Sequence, residues 1–357
     1  MKKSLVLIVA LFVFHTPAHA QTGDAVRLSV ELGTGAQDVI TFSGSSRSDA
    51  MSLYDVNSGK PSRFRVGLGV GSADGNWGIT TRLDSEVLQS VSITATWNRA
   101  LVWGKVFDKL LTVKAGLLDE EAFAFTWRPW GAENTWGAQF DGNIGAELQV
   151  RPVGGLTVGY IFPIQEGVSF VDSLKGSYIA AAYEMSAVFT LVAGVQLVSV
   201  PNSSDAWLGL DVKAWESLTA RLAAQATDIS DAHTSWLEIY QEAGYVLAGL
   251  GLNLKAWEEV YALADSGIGW QVETTVSYPI GIVTVALTGD LGNLVAQDPN
   301  PVAPSLQPLG YAIAPSVTLA LARSSTVQAG ARFKIRDVDE SISTLQIFVS
   351  FRWVFES

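Results

Sequence analysis

The sequence contains no cysteine and only three histidines. Without cysteine there is no disulfide framework and no lipidation site behind a leader sequence. His233 is the only histidine beyond the first 20 residues, so a Ser–His–Asp hydrolase would have to use it. Ser230 and Asp231 are near it in sequence, but adjacency in sequence is not triad geometry. No His/Cys cluster offers zinc ligands either. We therefore expect no enzymatic activity, no metal and no cofactor.

The chain also lacks an excess of positive charge. Its formal net charge is −12, with 23 Lys and Arg against 35 Asp and Glu, which does not favour nucleic acid as a partner. The glycine-rich run Gly67–Gly71 lies inside a strand pattern and opens no helix, so it is not a phosphate-binding loop. No linker, charge run or composition shift divides the chain. A single large unit is expected rather than two soluble domains.

The first 20 residues have the pattern of a secretory signal peptide. Lys2 and Lys3 form a basic start, residues 5–14 form an apolar stretch too short to span a membrane, and Ala18 and Ala20 occupy the cleavage positions. We expect cleavage after Ala20, which removes two lysines and no acids. Residues 21–357 are then the exported unit.

The most informative pattern runs from Trp136 to Arg151. Apolar or small residues occupy every even position of this stretch, and polar residues or glycine occupy every odd position. Successive side chains of a strand point to opposite faces, so the pattern predicts one apolar and one polar face. The stretch is also long enough for a tilted strand to cross a bilayer. Similar alternation recurs to the C-terminus, most clearly in residues 327–336 and 345–355.

The connections between these strands alternate in length. Short turns are predicted near residues 71–75, 106–109, 152–155, 214–217, 279–281 and 322–325. Longer polar loops are predicted near residues 34–61, 118–135, 163–176, 228–234, 257–267, 292–308 and 337–341. Transmembrane barrels have short periplasmic turns and longer external loops. The fold class is therefore all-β: a single transmembrane antiparallel up-and-down barrel of about 16–18 strands.

Residues 178–200 present an alternative, because they are apolar enough to suggest a membrane helix. Gly194 and the valines of this stretch are poor choices for a helix interior. Two strands around a tight turn near residues 184–186 are the preferred interpretation. Aromatic residues such as Trp136, Trp270 and Trp353 gather at strand ends, as in the girdles at bilayer interfaces.

On these patterns the chain resembles a Gram-negative-type outer-membrane porin. Residues 103–116 are similar to a strand–turn–strand unit of porin-like proteins in spirochaetes and proteobacteria. The final strand resembles the family's C-terminal strand, although Glu356 and Ser357 follow the aromatic Phe355. The resemblance implies the cell outer membrane as location, outer-membrane lipid as surroundings, the barrel-assembly machinery as partner during biogenesis, and a homotrimer as an assembly common in this family.

The polar face of the strands is taken as the lining of the lumen. A basic wall is expected, because the first and last strands of a barrel are neighbours. Its members are Arg27, Arg63, Arg65, Arg82, Arg332, Lys334, Arg336 and Arg352. The acidic pore-lining residues are Asp141, Glu147, Glu238, Glu242 and Glu273. Basic walls favour anions, although lumen arginines can instead pair with loop carboxylates and hold the loops down.

The loop at residues 118–135 is the candidate constriction. Its charged and aromatic members are Asp119, Glu120, Glu121, Trp127, Arg128 and Trp130. It either folds into the lumen, where its acids face the basic wall and its aromatics stack on solutes, or stays outside as an external loop. The predicted function is passive diffusion of small hydrophilic solutes or ions through a water-filled lumen, since barrels of 16–18 strands leave an aqueous channel. The alternative is a structural or adhesin-type barrel with a plugged lumen.

Overall fold

The computed structural model describes residues 24–55, 60–61, 63–87, 93–118, 123, 125–127, 134–136, 143–164, 167–185, 188–197, 205–215, 217–227, 236–261, 268–296, 309–322, 325–337 and 342–356. The predicted signal peptide, residues 1–20, lies outside them. No helix in these ranges has the length and apolarity to cross a membrane.

The described residues form strands almost throughout. The only helical elements in the described ranges are a short helix α1, Phe170–Lys175, and a 3₁₀ turn, Asn293–Ala296. The strands are β1 Asp24–Ser43, β2 Ser46–Asp55, β3 Lys60–Pro61, β4 Arg63–Ser72, β5 Trp77–Val87, β6 Ile93–Val106, β7 Leu111–Leu118, β8 Phe125–Trp127, β9 Asn134–Trp136, β10 Asn143–Val153, β11 Leu156–Pro163, β12 Tyr178–Met185, β13 Phe189–Gln196, β14 Ala206–Trp215, β15 Leu218–Thr227, β16 Trp236–Leu247, β17 Leu250–Tyr261, β18 Ile268–Ile280, β19 Val283–Gly292, β20 Gly310–Ala322, β21 Ser325–Asp337 and β22 Ile342–Glu356.

Twenty of these strands form one antiparallel sheet that closes on itself. The closing pair is β1 with β22, in register from Glu31 opposite Glu356 to Ser43 opposite Thr344. On its other side β1 pairs first with β4 and then with β2. Because β2 and β3 form only a side branch, the closed ring contains eighteen strands. The predicted antiparallel up-and-down barrel is confirmed, and the strand count falls within the predicted range.

Each long connection is followed by a short one. The short turns include residues 107–110, 154–155, 248–249 and 281–282, where left-handed backbone is frequent. Phe107, Asp108 and Lys109 all have positive φ although none is glycine. The short turns after β4, β6, β10, β14, β18 and β20 agree with the positions expected from the sequence.

The two faces of the sheet have opposite character. Along β10, Ile144 and Leu148 are 57% and 41% exposed, whereas Glu147 and Gln149 are 1% and 3% exposed. This is the reverse of a soluble sandwich, whose apolar face is buried. It is the arrangement of a membrane barrel, with an apolar outer surface and a polar interior.

Two interpretations of individual segments can be compared with this fold. Residues 178–200 contain two strands, β12 and β13, rather than a helix, so the preferred interpretation is confirmed. The loop expected at residues 34–61 is wrong for most of its length. Strand β1 continues to Ser43 and pairs with both β22 and β2, so backbone hydrogen bonds extend strand structure where the side-chain alternation is weak.

Candidate functional site: the barrel interior

The connection between β7 and β10 reaches into the barrel at Phe123. The Phe123 side chain is completely buried and belongs to an apolar cluster on the inner face of β6–β14. The other buried members are Leu101, Leu118, Ile161, Ala180, Val192 and Trp207. The indole N–H of Trp207, on β14, donates a hydrogen bond to the backbone carbonyl of Phe123, with an N–O distance of 3.0 Å. This bond ties the connection to the opposite side of the cluster.

Glycines make room for these two rings on the wall. A Cβ atom built on Gly159 would lie 2.5 Å from the Phe123 ring, and one built on Gly194 would lie 2.2 Å from the Trp207 ring. Both separations are far below van der Waals contact, so neither position accepts a side chain while the ring stays in place. Gly159 and Gly194 both lie opposite Ala180 in register, so the three residues form one small-residue strip across β11, β12 and β13.

A row of charged side chains crosses the inner face from β14 to β19. The register places Asp211, Arg221, Glu242, Lys255, Glu273 and Asp290 directly opposite one another in succession. Arg221 makes a two-pronged ion pair with Asp211, at 2.7 and 3.0 Å. Lys255 Nζ lies 2.9 Å from a Glu273 oxygen. Alternation of sign along most of the row stabilises it, because opposite charges face each other across neighbouring strands.

Acids are concentrated in the part of this face that belongs to β16–β19. Glu242 accepts hydrogen bonds from the Tyr240 hydroxyl at 2.6 Å and the Asn253 amide at 2.8 Å. Two further acids, Glu238 and Glu259, lie directly opposite each other and are both buried. Five carboxylates, those of Glu238, Glu242, Glu259, Glu273 and Asp290, share this region with Lys255. We call these six residues the acidic wall.

Basic side chains are concentrated on the other side of the ring. On the polar face of β5–β10 the described cations are Arg82, Arg99, Lys105, Lys114 and Arg151, which we call the β5–β10 basic wall. Of the predicted basic wall, only Arg82 belongs to this set. Arg82 and Arg99 lie opposite each other in register. Lys114 Nζ lies 2.7 Å from an oxygen of the buried Glu147, which also accepts a hydrogen bond from Gln149. In a ring of eighteen strands, β5–β10 lie half a turn away from β16–β19, so the two walls face each other.

The predicted pore residues divide into those with described side chains and those without. Glu147, Glu238, Glu242 and Glu273 lie on the polar face, as do Arg82, Arg332 and Lys334. Arg332 lies 3.5 Å from Asp290, so this member of the predicted basic wall pairs with an acid. For Arg27, Arg63, Arg65, Arg336, Arg352 and Trp127 the structure describes the backbone in strands β1, β4, β21, β22 and β8. Six of the predicted residues lie outside the described residues: Asp119, Glu120, Glu121, Arg128, Trp130 and Asp141.

Several inner-face residues escaped the sequence-based selection. Arg99, Glu259 and Asp290 lie on the polar face but were not selected from the sequence. The structure places Arg99 opposite Arg82, Glu259 opposite Glu238 and Asp290 opposite Glu273. The pairing of β5 with β6 shifts by one residue beside Arg99. Arg82 lies opposite Arg99, but the next residue of β5, Leu83, lies opposite Trp97. No group of three or more His, Cys, Asp or Glu side chains in the described ranges is arranged to hold a metal ion.

Solved structures share this architecture. OpdL of Pseudomonas aeruginosa is 10% identical, with 93% of this chain and 99% of that chain covered at a TM-score of 0.55. OpdQ and OccK10 of the same organism give TM-scores of 0.54 each, at 10% and 11% identity and with similar coverage. The fold is that of an outer-membrane porin. No family model and no curated protein matches the sequence. At such low identity, the porin-like barrel is shared while individual side chains are not.

Proposed function

We propose that this chain forms a channel in an outer membrane through which small hydrophilic solutes and ions diffuse passively. The observation that carries the proposal is the inverted sheet: apolar side chains cover the outside of a closed eighteen-strand ring, and polar and charged side chains line its inside apart from the Phe123 cluster. Barrels of about 16–18 strands leave an aqueous channel, whereas barrels of about 8 strands are filled by side chains.

The channel is narrowed, in this proposal, by the connection between β7 and β10. Support comes from the complete burial of Phe123 inside the barrel and from its hydrogen bond to Trp207. The cluster around Phe123 occupies the interior on the side of β6–β14. Solutes then pass on the remaining side. Its lining is formed by the acidic wall and by the ion pairs Arg221–Asp211 and Arg332–Asp290.

Selectivity is proposed to arise from the two opposed walls rather than from a uniformly basic lumen. Charged side chains lining a pore set its ion preference. The β5–β10 basic wall adjoins β1 and β4, whose backbones carry Arg27, Arg63 and Arg65. The acidic wall faces it across the ring. A field directed across the lumen orients dipolar solutes, and the wall nearer the open path sets the sign of the ion preference.

Liposome swelling tests the channel directly. Liposomes containing the refolded protein are placed in isotonic solutions of uncharged sugars of increasing size, with protein-free liposomes as the control. The proposal predicts rapid swelling with small sugars and a cut-off as size rises. The absence of swelling from a correctly folded barrel would contradict it.

A plugged barrel with a structural or adhesive role is the second candidate. The observation in its favour is that the Phe123 cluster already fills part of the interior with apolar side chains. It predicts no swelling with any sugar. Contact with outer-membrane lipid, insertion by the barrel-assembly machinery and assembly as a homotrimer are proposed alongside either function.

A further inference from the structure

Helix α1, Phe170–Lys175, lies in the long connection between β11 and β12 and exposes an apolar face. Phe170, Val171 and Leu174 are 69%, 59% and 39% exposed. Leu174 stands four positions after Phe170 and three after Val171, spacings that bring its side chain next to both on the helix surface. Ser173, in contrast, is buried. A short helix with this division has a surface that water solvates poorly.

The first residue of this helix packs on the outer face of the barrel. The ring of Phe170 packs on that of Phe162, with 5.5 Å between the ring centres. Phe162 is opposite Ala146, and Ala146 shares its face with the exposed Ile144 and Leu148. The apolar face of α1 therefore continues the apolar outer surface of the strands.

Hydrogen bonds fix α1 in this position. Ser169 caps its first turn by accepting from the Asp172 N–H, and the Gly176 N–H bonds to the Asp172 carbonyl at 2.9 Å. Just beyond the helix, the buried Ser177 donates to the Ser173 carbonyl at 3.1 Å and accepts from the Tyr160 hydroxyl at 3.0 Å. Tyr160 is opposite the outward-facing Ile179 in register. The end of the helix is thus tied to the rim of the barrel.

We propose that α1 is an interfacial helix whose Phe170, Val171 and Leu174 side chains insert into lipid at the headgroup–acyl boundary. The occupant is lipid because the apolar face is continuous with the outer band of the barrel, which faces acyl chains. Amphipathic helices lie in this boundary with the apolar face buried and the charged residues toward water. Asp172 and Lys175, which are exposed and 3.4 Å apart, form that charged edge. The inference rests on the proposed membrane location.

Introduced cysteines provide a clean test, because the chain has no cysteine of its own. Val171→Cys is labelled with an environment-sensitive fluorophore and reconstituted in vesicles that carry quenchers on the acyl chains at graded depths. Leu208→Cys, on the outer face of β14, is the lipid-facing control. Gly154→Cys is the water-facing control, since this turn glycine is exposed and has no atom within 4 Å of a built Cβ.

The proposal predicts that the Val171 probe loses fluorescence to the shallow acyl quencher, and that the Gly154 probe does not. Quenching of the Val171 probe only by a water-soluble quencher would overturn it. Concentration-dependent self-quenching between Val171 probes, without acyl quenching, would also overturn it and assign the face to a second copy. If lipid quenchers also leave the Leu208 probe unaffected, the proposed membrane location is wrong. This outcome distinguishes failure of the membrane location from failure of the interfacial helix alone.

Discussion

The indole N–H of Trp207 donates a 3.0 Å hydrogen bond to the carbonyl of Phe123, a residue 84 positions earlier in the chain. Both residues are buried in the barrel interior. This bond is the described contact that joins the β7–β10 connection to the facing side of the inner cluster. In the proposed channel, it determines how far the constriction projects into the lumen.

Trp207→Phe removes the donor and retains an aromatic ring. A buried carbonyl left without a partner costs about 1–3 kcal/mol, so we expect the constriction to be held less firmly. Single-channel recordings are predicted to show larger or noisier conductance steps, with the barrel still folded. Trp77→Phe is the matched control, because the Trp77 side chain is 49% exposed on the outer face of β5, away from the lumen. If both variants show the same conductance steps as the wild type, the Trp207 hydrogen bond does not hold the constriction in place.

Gly159→Ala tests the same constriction from the other side. The added methyl group would meet the Phe123 ring at 2.5 Å, and overpacking of this kind costs about 1–3 kcal/mol. We expect displacement of Phe123 and a change in conductance in the direction predicted for Trp207→Phe. Gly289→Ala is the control, because a Cβ there has no atom within 4 Å. An unchanged conductance in Gly159→Ala would place Phe123 outside the conduction path.

Glu238→Gln removes one charge from the acidic wall without changing side-chain size. The reversal potential in a salt gradient is predicted to move toward anion preference. Stability is predicted to rise by roughly 0.2–1 kcal/mol, because like charges opposite each other on neighbouring strands repel. Glu258→Gln makes the same change on the other face, where Glu258 lies opposite Ile239 and Trp270. Equal shifts in the two variants would show that the acidic wall does not set selectivity.

Glu147→Gln is predicted to destabilise the barrel by about 3 kcal/mol, since it leaves the charge of Lys114 uncompensated at a largely buried site. Chemical denaturation of the protein in detergent or lipid measures the change. The double variant Lys114→Met with Glu147→Gln is expected to recover most of the loss, because both charges are then removed. A double variant that is less stable than the single variant would contradict the ion-pair explanation.

The capping of α1 predicts a dependence on acidic pH. The hydrogen bond from the Ser169 hydroxyl and the neighbouring Lys175 hold the pKa of Asp172 below its usual value of 3.8. The ionised carboxylate therefore stabilises the cap fully above pH 3.8 and loses this effect as the pH falls through the lower folded pKa. A spin label at Val171 is predicted to become more mobile in that range. Asp172→Asn is expected to abolish the transition; a transition that persists unchanged in it would contradict this origin.

The sequence pattern was sufficient to predict the barrel, most of its short turns and its approximate strand count, but not the turn at residues 248–249. Glu147 and Leu148 illustrate why: a strand separates neighbours to opposite faces whatever its partners are. The position of Phe123 could not be predicted, because it depends on Gly159 and Trp207, which the fold brings together from distant parts of the chain. Helix α1 lacked a periodic pattern long enough to indicate a helix, and its position depends on contacts with Tyr160 and Phe162.

The charge distribution of the lumen was the feature that was hardest to predict from the sequence. The sequence correctly places Arg332 on the polar face of its strand. It does not show that Arg332 lies near Asp290, because that distance depends on the order of the strands around the ring. The register shift beside Arg99 likewise changes which side chains share a face. The sequence pattern shows that charged residues line the lumen. The pairing across strands decides which of these charges are compensated.

Single-channel conductance of the refolded protein in a planar bilayer, with reversal potentials in a salt gradient, tests the central claim most directly. The account predicts steady open steps and an ion preference that moves when Glu238 is replaced by Gln. A folded barrel that conducts no current would contradict the channel and leave a plugged, structural barrel as the explanation.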